Sequence, residues 1–178
     1  MRRNRSLHTD GFHGLARLTI ALSEGHAAAA EPLARALYET TGPLAAVAWA
    51  VTLAAAGRAG EARRRYDEGA AIPPRPDFFH SVFATFRAMA VIAVGDRAAA
   101  EALVADLTPV AGMLAGAAST ALAMQPVAQT LGELSAFLDR PEPAARYFAT
   151  AEQVARRWNS PHWTARAQAA ARQCPPNG

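Results

Sequence analysis

Five polar side chains fall where helical patterning calls for apolar ones. His80 and Arg87 stand on either side of Phe83 in an otherwise apolar run, and Gln125, Gln129 and Glu133 recur every four residues. On a helix that second spacing makes a single polar stripe. An imidazole and a carboxylate can both move protons, so His80 and Glu133 are the candidate general acid and base of an enzyme, with Arg87 beside them. The same residues suit recognition instead. Amides, a histidine and a guanidinium around Trp49, Phe83 and Met124 would line a groove for a peptide or a small molecule. Plainer roles stand beside both: a solvated helix face, or a structural Arg87–Glu133 ion pair.

Other chemistries lack their residues. There is no GxxxxGK[ST] and no GxGxxG to cradle phosphate, and no HExxH, GxSxG or cysteine pair. The histidines His8, His13, His26, His80 and His162 lie on separate segments without a second ligand at helical spacing, so no metal is expected. Cys174, the single cysteine, sits in the Pro-rich segment CPPNG and cannot form an internal disulfide. No cofactor is expected.

The elements that must position these side chains are helices. About a quarter of the 178 residues are alanine, the residue that loses least on entering a helix, and β-branched residues are sparse. Half the chain is hydrophobic and its mean hydropathy is zero, enough for a buried core. All eighteen basic residues are arginine, as in a chain drawn from a GC-rich genome. The net charge is only +3, and the arginines are dispersed apart from Arg2, Arg3 and Arg5 and the run Arg63 to Arg65. Nucleic-acid binders concentrate such charge on one face, so direct nucleic-acid binding is not expected. The start MRRNRSLHTDG lacks an apolar h-region, and the apolar stretches near Leu44–Ala56 and Ala88–Val94 are too short to span a bilayer. A cytoplasmic protein without a membrane partner is the expectation.

Turn signals recur at Gly25, Gly57, Gly95 and Asp139, at intervals of 32 to 44 residues typical of helical-hairpin repeats. Aligned on them, the fifth following residue is always alanine (Ala30, Ala62, Ala100, Ala144). The ninth is Ala34, Tyr66, Val104 or Phe148. Small residues just past each turn let paired helices approach closely, and a larger one a turn later fills the gap. The pattern predicts an all-α, tetratricopeptide-like stack of about four hairpins plus a C-terminal capping helix. Its pairs are 12–23 with 27–39, 43–56 with 59–70, 78–94 with 97–107, and 118–138 with 142–158; the cap is 162–173. Asp77 and Ser160 serve as N-caps, and Pro126 kinks or breaks its helix. Trp158, Trp163, Tyr147 and Phe148 pack the last hairpin on the cap. One domain covers 11–173, between a disordered basic stretch 1–10 and a disordered tail 174–178.

Four segments carry a family likeness: LAAAGRAGEARRRYDE (Leu53–Glu68), AVIAVGDRAAAEALVADLTPVAG (Ala90–Gly112), LGELSAFLDRPEPAARYFATA (Leu131–Ala151) and SPHWTARAQAAA (Ser160–Ala171). In order and spacing they resemble the C-terminal helical region of large actinobacterial transcriptional regulators, which join an ATPase core to tetratricopeptide-like repeats and a DNA-binding or cyclase module. The resemblance implies repeat hairpins with a capping helix and assigns them no catalytic residue. The ATPase and DNA-binding parts have no counterpart in these residues. The functional expectation is a non-catalytic interaction module, regulatory in role, that holds a protein or peptide on its concave face. A small-molecule effector site is the alternative, an enzyme using His80, Arg87 and Glu133 is a third possibility, and a homodimer is open.

Overall fold

A computed structural model describes residues 7–73, 77, 79–119 and 122–174. They are all-α: among them there is no strand, only an isolated antiparallel bridge between Leu114 and Pro126. The chain divides into two compact units at the junction of residues 75 and 76. The first holds α1 (Leu7–Ser23), α2 (Glu31–Thr41), α3 (Ala46–Ala55) and α4 (Ala59–Ala70). The second holds α5 (His80–Val94), α6 (Arg97–Leu107), α7 (Val127–Phe137), α8 (Pro141–Arg157) and α9 (Pro161–Gln173). Helix α1 begins inside the 1–10 stretch expected to be disordered; residues 1–6 and 175–178 lie outside the described residues.

One turn is used repeatedly. At Gly25, Gly57 and Gly95 the backbone takes positive φ values of 80°, 76° and 77°; Asp139 and Asn159 take 61° and 50°. The amide after each donates to the carbonyl five residues back: His26 to Ala21 (2.8 Å), Arg58 to Leu53 (2.9 Å), Asp96 to Val91 (3.0 Å), Arg140 to Ser135 (2.9 Å) and Ser160 to Ala155 (3.0 Å). This is the Schellman closure, which satisfies the last carbonyls of a helix and needs a left-handed residue, hence glycine or a short Asx side chain. After each of these turns the next helix packs on the one just ended: α1 with α2, α3 with α4, α5 with α6, α7 with α8, and α8 with α9. The chain therefore reverses at Gly57, Gly95 and Asp139.

The small residues do what close packing requires. Ala30, Ala62, Ala100 and Ala144 are all buried, as are Ala34, Tyr66 and Phe148 one turn on; Val104 is half-buried. Two glycines go further. A Cβ on Gly69 of α4 would fall 2.5 Å from Val47 Cγ2 of α3, and one on Gly132 of α7 would overlap the Phe148 ring of α8. Arg97 of α6 closes the end of α7, donating to the carbonyls of Phe137 and Leu138 and to Asp139 Oδ2, each at 3.0 Å. Ser160 caps α9 through the Trp163 amide at 3.4 Å, and Pro161 occupies its first turn.

Several boundaries differ from those read from sequence. The long helix 118–138 is not formed. Ala117–Ser119 makes one 3-10 turn, and α7 starts only at Val127. Pro126, extended at φ −51° and ψ 137°, stands before it as N-cap, because its ring and missing N–H do not fit a helix interior. Helix α2 starts at Glu31 rather than Ala27, with Pro32 in its first turn, and Pro43 opens a 3-10 turn that precedes α3. Asp77 accepts from the Phe79 amide at 2.9 Å and α5 begins at His80; Phe78 lies outside the described residues. Of the aromatic group placed in the last hairpin's core, Phe148 is buried and Trp163 and Tyr147 are half-buried, but Trp158 is 56% exposed, at the turn between α8 and α9.

Candidate functional site

In the second unit, the α7 stripe becomes a hydrogen-bonded cluster. Gln129 and Glu133 project from α7 one turn apart. Gln125 precedes the helix, held by a backbone clip: the Ala115 amide donates to the Gln125 carbonyl (3.1 Å), Met124 to that of Ala115 (2.8 Å), and Val127 to that of Met113 (2.9 Å). The Gln125 side-chain amide donates to Thr130 Oγ1 (2.8 Å) and Glu133 Oε2 (3.1 Å). Gln129 Nε2 donates to Glu133 Oε1 (3.0 Å), and Arg166 of α9 reaches the same oxygen at 3.2 Å. Gln125 is fully buried and Gln129 and Thr130 are 1% exposed, while the Glu133 side chain keeps 24% exposure and Arg166 35%. Among the described residues, nothing donates to Gln125 Oε1 or Gln129 Oε1, and both atoms are sealed from solvent.

The remaining sequence candidates divide between other surroundings. His80 Nε2 pairs with Asp106 Oδ2 of α6 at 2.9 Å. Phe83 meets Phe79 edge-on with ring centroids 6.3 Å apart, Met124 is buried beside the clip, and Arg87 is half-buried on α5. The ion-pair partner at Glu133 is Arg166. Trp49 belongs to the first unit.

There Trp49 anchors a second polar cluster. Its indole Nε1 donates to Glu31 Oε1 (2.9 Å), which Arg58 also approaches at 3.3 Å. The Arg65 guanidinium lies 4.4 Å from the Trp49 ring centroid and 4.7 Å from that of Tyr38, and the two rings are 5.0 Å apart. Arg65 donates to Glu68 Oε2 (2.7 Å) and to the Tyr38 hydroxyl (3.0 Å), which itself donates to Glu68 Oε1 (2.6 Å). The Tyr38 hydroxyl bond, then Arg65, hold the Glu68 carboxyl below its ordinary value against the opposing effect of burial. The same bond to Glu68, with burial, raises the Tyr38 phenol above its ordinary value.

Sequence reasoning missed Arg166, Thr130, Tyr38, Arg65, Glu31 and Glu68 as members of these clusters. Arg65 and Glu68 carried a local signal, opposite charges three apart on one helix. Arg166 lies 33 residues from Glu133 and carried none. Among the described residues no group of three or more His, Cys, Asp or Glu could hold a metal ion, and no helix is long and apolar enough to cross a membrane. No protein-family model, no curated protein and no solved structure matches the chain.

Proposed function

We propose that each unit is a tetratricopeptide-like repeat module and that the chain works by recognising a protein or peptide rather than by catalysis. The observation that carries this is the recurrence of one turn and one packing rule: five Schellman closures, each followed by a helix that packs back, with buried alanines at the same distance after four of them. Repeats of this kind use the first helix of each pair to line a binding surface, which in the second unit means α5 and α7 with α9 as cap. The likeness to the repeat region of large transcriptional regulators makes the partner a regulatory one. His80 and Glu133 belong to separate hydrogen-bonded groups, one with Asp106 and the other with two glutamines and Arg166.

Panning a random peptide library against the whole chain, followed by hydrogen exchange on the complex, tests this reading. It expects selected peptides to slow exchange on α5 and α7. Protection on the second helices α6 and α8 instead, or a library that yields no binder, would contradict it. A second reading, a small-molecule effector site, is favoured by the unserved Gln125 and Gln129 oxygens, which a ligand displacing what seals them would meet as acceptors. Thermal-shift screening separates the two, since a small effector would stabilise the chain without any peptide.

A further inference from the structure

Two glutamines at full burial are unusual, because an amide leaves water only where partners replace it. Here the amide nitrogens have partners and the oxygens do not. The orientation is dictated by chemistry: a carboxylate only accepts, so each glutamine must turn its NH2 group toward Glu133, which leaves its carbonyl without a donor. A buried acceptor left in that state has given up water without a replacement, and leucines of similar size would avoid the loss. Placement of two such groups around one carboxylate therefore needs a reason beyond packing.

The carboxylate supplies it. Glu133 is held from both sides by buried amides, one on each oxygen, so its position is fixed in advance, yet a quarter of the side chain faces solvent. Pre-set acceptors of this kind recognise an N–H-rich cation, since ordering has already been met by the fold. Arg166 shows that a guanidinium fits. Its hold is slight, one nitrogen at 3.2 Å on a half-exposed side chain that also lies 5.5 Å from the Trp163 ring centroid. Two arginine pairs elsewhere are forked, Arg58 on Glu61 with both bonds at 2.7 Å and Arg140 on Glu101, while Arg63 on Asp67 and Arg65 on Glu68 use one nitrogen each but at 2.9 and 2.7 Å, shorter than the Arg166 contact. A guanidinium carries five donors in a rigid plane, enough to occupy Glu133 and reach carbonyls that Arg166 leaves unserved.

We infer that Gln125, Gln129 and Glu133 form a recognition site for an arginine side chain of the partner peptide, and that Arg166 is a resident guanidinium which the partner displaces. This rests on the peptide-binding reading above and deepens it by naming what the peptide must carry. Both glutamine oxygens are sealed from solvent, so the incoming guanidinium enters at the part-exposed Glu133, in the place Arg166 holds there.

The test is a titration of the full chain with a capped Ala-Arg-Arg-Ala peptide and with its citrulline counterpart, which keeps the shape and loses the charge. The expected result has three parts. The arginine peptide shifts the side-chain NH2 resonances of Gln125 and Gln129, Arg166→Ala tightens it about tenfold by removing the internal competitor, and citrulline abolishes binding. Equal affinity for the two peptides, or unmoved glutamine resonances at saturation, would overturn the inference. Should Arg166→Ala not fold, Arg166→Gln and the glutamine resonances of the unaltered chain give the same decision. A chain that binds library peptides on α5 and α7 but treats arginine and citrulline alike would lose this site and keep the module reading; a chain that binds no peptide loses both.

Discussion

The two units each carry a polar cluster with tryptophan and arginine near a carboxylate, and the clusters are built to opposite ends. In the first unit the indole N–H, the phenol and both carboxylates have partners, and Arg65 lies between two aromatic rings. That arrangement ties α2, α3 and α4 together and leaves no polar group wanting. In the second unit the glutamine oxygens are unserved and the arginine is loosely held. A satisfied cluster is a fastening. An unsatisfied one, with its two amides at full burial, gives up stability, and the proposed recognition role is what that loss would serve.

The contrast breaks most visibly at Trp49. Trp49→Ala removes a buried indole, leaves Glu31 with Arg58 alone and takes a ring from beneath Arg65, and should destabilise the first unit by about 3–5 kcal/mol in urea unfolding. Arg65→Ala comes next. It loses two ring contacts and two hydrogen bonds at a site one-third exposed, about 1–2 kcal/mol together. Both variants should leave the Gln125 and Gln129 resonances in place; movement there would undo the separation of roles. Arg166→Ala should change stability by less than about 0.5 kcal/mol, because its one long ion pair and its ring contact are both partly open to solvent and screened. A loss as large as that of Arg65→Ala would make Arg166 a fastening too.

A pH series sharpens the same comparison. Glu68 titrates below its ordinary value of 4.5 in the folded chain. Its contribution to stability is therefore present at neutral pH and is lost as pH falls below 4.5 through the depressed value. Tyr38→Phe removes the largest cause of the depression, so the Glu68 carboxyl should move back up toward 4.5 in a carbon-detected NMR titration, and the acid-side loss of stability should shrink. An unmoved Glu68 would mean that Arg65 alone sets it.

Much of this fold could be read from residue types, for reasons visible in the turns. Left-handed backbone tolerates few residues, so Gly25, Gly57, Gly95 and Asp139 announced their reversals, and alanines at a constant distance announced the close approach that follows. Proline announced a break at Pro126, but not that the residues before it would leave the helix and clip back through Met113–Ala115. Gly69 and Gly132 gave no warning of their role, since a glycine in a helix looks the same whether or not a neighbour presses on it. The α7 stripe could be read as a row of polar groups at helical spacing. Its depth could not: burial of Gln125 and Gln129 depends on what packs over them, and Arg166 arrives from a helix 33 residues on.

The division between a cluster that fastens and one that recognises can be tested by emptying the second of its polarity. Replacing Gln125, Gln129 and Glu133 together with leucine removes the unserved oxygens, the carboxylate and the need for Arg166, at nearly constant volume. Equilibrium unfolding should then show a chain more stable by about 1–4 kcal/mol, and one that no longer distinguishes arginine from citrulline. A chain made less stable by a similar amount would mean that the glutamines hold the helices after all, and that the two clusters do the same work.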